Sequence, residues 1–285
     1  MTVTEIQREK WGEERPYIIP PGGGEPELYE RPSGFGKILE DTKNLAKWGE
    51  RKTAEGLLKR PDLQTRVAGI IANGDPNSDW ETKKALDKVC REAKEAAGAW
   101  TGASSGTGFH ALTEAIDRGL EPEWIPPADK ARLDDYRRAL HGYKALDVEV
   151  FCVNDVVRAA GTFDRLLLCP DGRVRVADLK SGKSEKAFPF STAVQISIYA
   201  NAMRYDPETG ERSPLHAALD LSTGLLIHMP PPPPPKDGEE PKLSGGCEIV
   251  PLDLELGWEA ARLATQVRAF RSLKAEDIIR KPVPA

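Results

Sequence analysis

The 285-residue sequence predicts an α/β fold, a mixed central sheet flanked by helices and preceded by an N-terminal helical region. Three observations carry this expectation. Apolar residues recur at helical spacing from about residue 37 to 145, the period changes to two at Leu146, and strand-like runs then follow in succession around the strong turn Pro170-Asp171-Gly172. Helices that precede, interrupt and follow strands fit a layered domain better than a bundle or a sandwich.

In chain order, residues 1–35 read as a flexible arm, because Pro20-Pro21-Gly22-Gly23-Gly24 is a breaker cluster and Pro26 and Pro32 follow it. Residues 36–145 form the helical region. Ile38, Leu39, Leu45, Ala46, Trp48, Leu57 and Leu58 keep helical spacing at its start. A long helix is expected over Trp80–Ala97, with Ser78 or Asp79 as N-cap and Gly98 as its stop. A capped helix over Ser104–Ile116 should end near Gly119, and another should run over about Ala128–Ala145. Strands are expected at Leu146–Cys152, Val156–Cys169 and Val174–Leu179, then a helix over Ser191–Tyr205. Two further strands, Ala217–Ser222 and Gly224–Met229, should flank a turn. Pro230–Pro235 favours polyproline II and opens a surface excursion over 230–246, followed by a strand at Cys247–Leu254 and a helix at Gly257–Leu273. Residues 146–285 would thus form the sheet-bearing core, integrated with 36–145 as a single domain.

Composition narrows the function classes. Forty Lys and Arg against 45 Asp and Glu give a net charge of −5, which argues against a globally basic nucleic-acid coat but not against a local basic cleft. No stretch approaches the roughly 20 apolar residues of a bilayer span, so no membrane association is expected. The polar start, Met1–Gly12, lacks an apolar signal core, and a cytoplasmic location is the expectation. Cys90, Cys152, Cys169 and Cys247 lie far apart with no C-x-x-C pair, against a disulfide framework or zinc finger. There is no G-x-x-x-x-G-K-[ST] segment, so no nucleotide cofactor is expected.

The chemistry concentrates between Gly161 and Ala200. Asp178 and Lys180 share one face of a strand, with Leu179 turned the other way into the core. If the Pro170-Asp171-Gly172 turn closes a hairpin, Asp164 can face Asp178 across it. Two carboxylates and an ammonium then converge at one end of a sheet. Carboxylate oxygens suit Mg²⁺, which keeps waters for a substrate phosphate, acidifies bound water and stabilises charge on an attacked phosphorus. Lys180, a compact point charge, would orient water or screen phosphate. Taken alone, D-x-K is a common tripeptide and equally describes a surface ion pair. Gln195 and Tyr199, one turn apart on a mostly apolar helix, need polar partners if buried.

Four motifs in order extend this trio: His110 in Gly106-Thr107-Gly108-Phe109-His110, Asp164 in Gly161-Thr162-Phe163-Asp164, Asp178-Leu179-Lys180, and Gln195 with Tyr199. With these the chain resembles the PD-(D/E)XK nuclease superfamily, specifically its RecB-like, phage-type exonuclease branch, over about His110 to Ala202. The resemblance implies a restriction-endonuclease-like fold. It also implies metal held by His110, Asp164, Asp178 and the Leu179 backbone carbonyl, with Lys180 assisting. Gln195, Tyr199 and Lys183 would support the site or touch DNA. Glu149 on the first strand and Glu114, four residues after His110, are further acidic candidates. Imidazole ligation adds Mn²⁺ to Mg²⁺ as an activator. Cys247 stands alone in the C-terminal third, so the iron–sulfur cluster of some relatives is not expected.

Basic residues that would contact phosphates are Lys183, Lys186, Arg262, Arg268, Arg271 and Lys274, with Arg51, Lys52, Lys59 and Arg60 near the start; each is otherwise a solvated charge. The expected activity is metal-dependent hydrolysis of DNA, as an exonuclease acting on linear ends in phage-type recombination or processing, with a recombination protein as possible partner. The alternative is a DNA-binding or scaffold protein of the same fold that is catalytically silent or partner-dependent.

Overall fold

The computed structural model describes residues 6–8, 14–99, 101–235 and 238–280, with the side chains of 6–8, 14 and 101–107 outside that description. It divides into two compact units. One comprises Asp41–Phe109, and the other takes in the chain up to Glu40 and from His110 onward.

The second of these units carries the sheet. Its strands are β1 (Ile6–Arg8), β2 (Glu14–Ile18), β3 (Glu27–Leu28), β4 (Lys144–Asn154), β5 (Ala159–Leu168), β6 (Val174–Lys180), β7 (Met203–Tyr205), β8 (Arg212–Pro214), β9 (Thr223–His228) and β10 (Glu248–Asp253). Among the described residues, seven form one mixed sheet in the order β10-β9-β6-β5-β4-β7-β8, and β1-β2-β3 form a small separate one. Neighbours in the large sheet are antiparallel except β6 and β9, which run parallel. Between these two the chain passes through helix α7 (Phe190–Ala200), as a parallel pair requires a crossover. The result is the mixed α/β sheet with flanking helices expected from the sequence.

Helix α7 lies against the sheet. Ile196, Tyr199 and Ala200 join Cys152, Phe163, Leu166, Val176 and Leu226 in one buried cluster. Its other side is covered by α1 (Pro32–Leu39) and α8 (Leu254–Arg271), where Phe35, Val194, Ile198, Ala260, Ala261 and Ala264 pack together. Both approaches depend on glycine. A Cβ on Gly36 would collide with Ser191, and one on Gly257 would lie 2.6 Å from the Ala193 carbonyl oxygen. The main chain therefore sets how closely these helices meet.

The other unit is helical. It contains α2 (Lys43–Lys59), α3 (Pro61–Asn73) and α4 (Trp80–Ala96), around Leu63, Val89 and Ala93. Asp79 caps α4, accepting from the backbone N–H groups of Glu81 and Thr82 at 3.3 and 3.1 Å, and Gly98 has φ +73° just past its end. Helix α5 (Thr101–Asp117) follows, with Gly119 at φ +74°; any capping by Ser104 or Ser105 lies outside the described residues. Helices α6 (Pro127–Ala139) and α9 (Ala275–Ile278) complete the description.

Several expectations are corrected. The segment read as a flexible arm is folded where it is described: Ile18, Tyr29 and Phe35 are buried. The Pro20–Gly24 cluster forms the turn between β2 and β3, with the Gly23 N–H donating to the Pro20 carbonyl, so its breakers reverse the chain without loosening it. The residues before β2 that were read as arm, other than Ile6–Arg8, lie outside the described residues. The helix expected to reach Ala145 stops at Ala139, because Gly142 takes φ +88° and β4 starts at Lys144. The helix expected to reach Tyr205 stops at Ala200, where the Asn154 side chain donates to the Ile198 and Asn201 carbonyls; Met203–Tyr205 joins the sheet instead. Ala217–Ser222 is not a strand. The Asp220 carboxylate accepts from the N–H groups of Ser222 and Thr223, a turn that holds the entry to β9. The excursion over 230–246 is the loop joining the paired strands β9 and β10; Lys236 and Asp237 within it lie outside the described residues.

Candidate active site

Strands β5 and β6 form the expected hairpin, paired from Leu168↔Val174 to Arg165↔Ala177. One more step in that register sets Asp164 opposite Asp178. The two are tied together: Asp164 Oδ2 accepts from the Leu179 backbone N–H at 2.8 Å. Leu179 is fully buried, and Asp178 is only 2% exposed. Alternation along β6 sends Leu179 into the core and leaves Asp178 and Lys180 together, with Lys180 Nζ 2.8 Å from Asp178 Oδ2.

The other oxygen of Asp178, Oδ1, accepts from Gln195 Nε2 at 2.9 Å, so the polar residue of α7 is used on the buried carboxylate. Tyr199, one turn later, is buried edge-on to Phe163 with ring centroids 6.1 Å apart, and its hydroxyl closes over Gly161. His110 on α5 brings Nδ1 to 3.8 Å from Asp164 Oδ2. The structure therefore gathers His110, Asp164, Asp178, Leu179, Lys180 and Gln195 around one end of the hairpin. Lys183 lies exposed in the following loop. Lys186 is engaged with Glu248 at 2.6 Å.

Glu149 stands on β4 where the ladder to β5 skips: Val148 pairs with Arg165 and Val150 with Phe163. Its φ of 57° is in the left-handed region, which costs a side-chain-bearing residue about 1–3 kcal/mol and is characteristic of functional positions. Desolvation, then the charges of Asp164 and Glu114, push its carboxyl up to about 7. Glu114 pairs with Arg118 at 3.4 Å.

Electrostatics in the centre are dominated by burial and crowding. Desolvation, followed by the neighbouring Asp164 charge, raises the pKa of Asp178 against the opposing pull of Lys180. Burial works against the charge on Lys180, but Asp178 outweighs it and the ammonium is held more firmly than usual. Burial lowers the pKa of His110 despite Asp164, which favours the neutral imidazole that a metal requires. Asp178 Oδ2 is buried and has the Lys180 ion pair but no well-directed hydrogen bond.

One residue that sequence reasoning missed underlies this arrangement. Arg165 is fully buried and follows Asp164 directly. Its Nε donates to Asp117 Oδ2 at 2.5 Å and to the Tyr136 hydroxyl at 2.9 Å, and its Nη2 donates to Thr113 Oγ1 at 2.6 Å. Thr113 in turn donates to the His110 carbonyl at 2.8 Å. The guanidinium thus fastens the helix of His110 to the strand of Asp164, while Nη1 lies 3.6 Å from Asp164 Oδ2. The only hint in the sequence is an arginine beside Leu166-Leu167-Leu168. His228, opposite Lys180 in the β6–β9 ladder, was also missed; its ring nitrogen Nε2 lies 3.0 Å from the Gly182 carbonyl and fixes the loop after Lys180.

The basic residues near the start of the chain are largely neutralised. Lys52 and Lys59 pair with Glu55, and Arg60 pairs with Asp62. Among the described residues, no group of three His, Cys, Asp or Glu side chains is arranged to hold a metal ion. The donor chemistry nevertheless fits a hard divalent cation: clustered carboxylates repel one another enough to lift Asp178 and Glu149, and a buried oxygen of Asp178 lacks a hydrogen bond.

Comparison with known proteins bears on these residues directly. A family model described as the PD-(D/E)XK nuclease superfamily matches residues 75–220, just over half of the chain, and that span contains all ten residues proposed from sequence for the site. No curated protein sequence matches the chain.

Proposed function

The chain belongs to the PD-(D/E)XK nuclease superfamily, and from that premise we propose that it is a metal-dependent deoxyribonuclease, acting as an exonuclease on linear DNA in phage-type recombination or processing. The observation that carries this reading is the pairing of Asp164 and Asp178 across one hairpin, with Lys180 against the second carboxylate and His110 against the first.

Asp164 and Asp178 would hold Mg²⁺ or Mn²⁺, with His110 and the Leu179 carbonyl as further ligands. The bound cation supplies an acidified water and charge stabilisation at phosphorus. The protein's own part is positional. Gln195 holds Oδ1 of Asp178, which leaves Oδ2 to face Lys180. The Leu179 N–H fixes the rotamer of Asp164. Lys180 carries a firmly retained proton beside the carboxylate and is suited to orient the attacking water and offset phosphate charge. Glu149, poised near neutrality, is suited to accept a proton from that water.

The test is digestion of end-labelled linear and closed circular DNA with EDTA, Mg²⁺ or Mn²⁺. Linear DNA alone is expected to disappear, and only with metal. Asp178→Asn should be inactive with unchanged far-UV circular dichroism, and Lys180→Ala should lose about 10²–10⁴-fold in rate. Nicked circles would make the protein an endonuclease. No cleavage in any lane would overturn the catalytic reading in favour of a silent DNA-binding protein.

A further inference from the structure

A second basic feature lies wholly outside residues 75–220. A cavity of about 450 Å³ is lined by Arg15 of β2, Glu30 and Arg31, Lys37 of α1, and Arg268 and Arg271 of α8. Glu30 is the one carboxylate among them, and it is paired with both Arg15 and Arg268. Arg268 also lies over the Phe35 ring, 5.6 Å from its centroid, so it is braced against the helix packing beneath. Arg31, Lys37 and Arg271 are exposed, and no ion pair to a carboxylate is formed by any of the three among the described residues. Arg271 reaches only the Ile38 carbonyl, at 3.4 Å.

Five cations around one carboxylate is an unusual concentration in a chain whose net charge is −5. Gathered in a concave wall, they focus a positive potential that one carboxylate does not cancel. Guanidinium forks match phosphate oxygens in bidentate fashion, and a lysine adds a point charge. The cavity is also coupled to the catalytic strand. Pro32, next to Arg31, lies beside Gly161, three positions before Asp164, and the Tyr199 hydroxyl meets the same glycine.

We propose that this cavity holds a non-scissile phosphate of the DNA strand presented to Asp164 and Asp178, anchoring the strand through Arg31, Lys37 and Arg271. The inference rests on the nuclease reading for its ligand but not for its test. Binding of a labelled DNA oligonucleotide by fluorescence anisotropy, in EDTA so that nothing is cut, compares the full chain with the triple variant Arg31→Ala/Lys37→Ala/Arg271→Ala. The control removes three other exposed cations, Arg262→Ala/Lys274→Ala/Arg280→Ala. The triple variant should bind about tenfold or more weakly at low salt, and the slope of log affinity against log salt should fall by about 2–3, at roughly 0.9 per lost phosphate contact. The control should stay near wild type.

Unchanged affinity and slope in the triple variant, or an equal loss in the control, overturns the site. So does a wild-type protein that does not bind DNA; if inorganic phosphate then raises its Tm and the triple variant abolishes the rise, the cavity takes a free anion instead. Failure of the nuclease reading has a different signature, absent cleavage with metal, and leaves the binding comparison in EDTA intact.

Discussion

Glu149 combines a backbone conformation that L-residues rarely adopt with a carboxyl that titrates near neutrality. The sign of its effect on stability follows from linkage. The folded state keeps this proton to about pH 7, whereas the unfolded chain releases it near the ordinary value of 4.5. Between those limits the folded state binds more protons, so this group's contribution to stability falls as pH rises from about 4.5 to about 7 and is level above that. In metal-free buffer, Glu149→Gln should therefore unfold at a higher denaturant concentration than wild type at pH 8, with the advantage shrinking toward pH 4.5. An advantage independent of pH would show that the carboxyl is not the source. Cleavage by Glu149→Gln should fall even as its stability rises. Asp164, Asp178 and Lys180 were readable at this scale because period two along a strand is a strict geometric rule. Arg165 was not. A charged residue beside a leucine run reads as solvated, and only the fold brings Asp117, Tyr136 and Thr113 to it from two helices.

At the scale of elements, Arg165 is the joint between α5, α6 and β5. Arg165→Ala would leave the Asp117 carboxylate buried without its partner, at a cost of about 3–5 kcal/mol, read as a lower urea midpoint. The glycine contacts of α7 make a second prediction. Gly257→Ala drives a methyl into the Ala193 carbonyl and should destabilise by about 1–3 kcal/mol. Because α7 carries Gln195, it should also reduce cleavage; the same change at Gly34, where a Cβ meets nothing within 4 Å, should not alter stability by that amount. The long elements were legible wherever a cap, a glycine stop or a clear period marked them, as for α4 from Asp79 to Gly98. Where the reading failed, a tertiary partner had intervened. Asn154 ended α7, and the edge of β4 captured Met203–Tyr205 as a strand.

The whole molecule has two compact units with separate buried clusters, one centred on Leu63, Val89 and Ala93. Leu63→Ala, costing about 2–5 kcal/mol, should speed amide hydrogen exchange across 41–109 while leaving peptides of β5 and β6 protected. Equal loss of protection in both would mean that the chain unfolds as one. This division was not legible in the sequence, because helical periodicity runs on past residue 109 without a break in composition. It also has a consequence for synthesis. The 41–109 unit is interposed between the first 40 residues and the partners they meet: Glu30 bridges Ala159, and α1 packs against α7 and α8. On the ribosome, the earliest residues to emerge are thus among the last to find their places, while the helices after them can close over local contacts. Nascent chains arrested before Leu254 lack α8, the cover of the helix that steadies Asp178. They should remain inert toward nucleic acid until that cover is made, so that the order of translation itself delays the enzyme's competence.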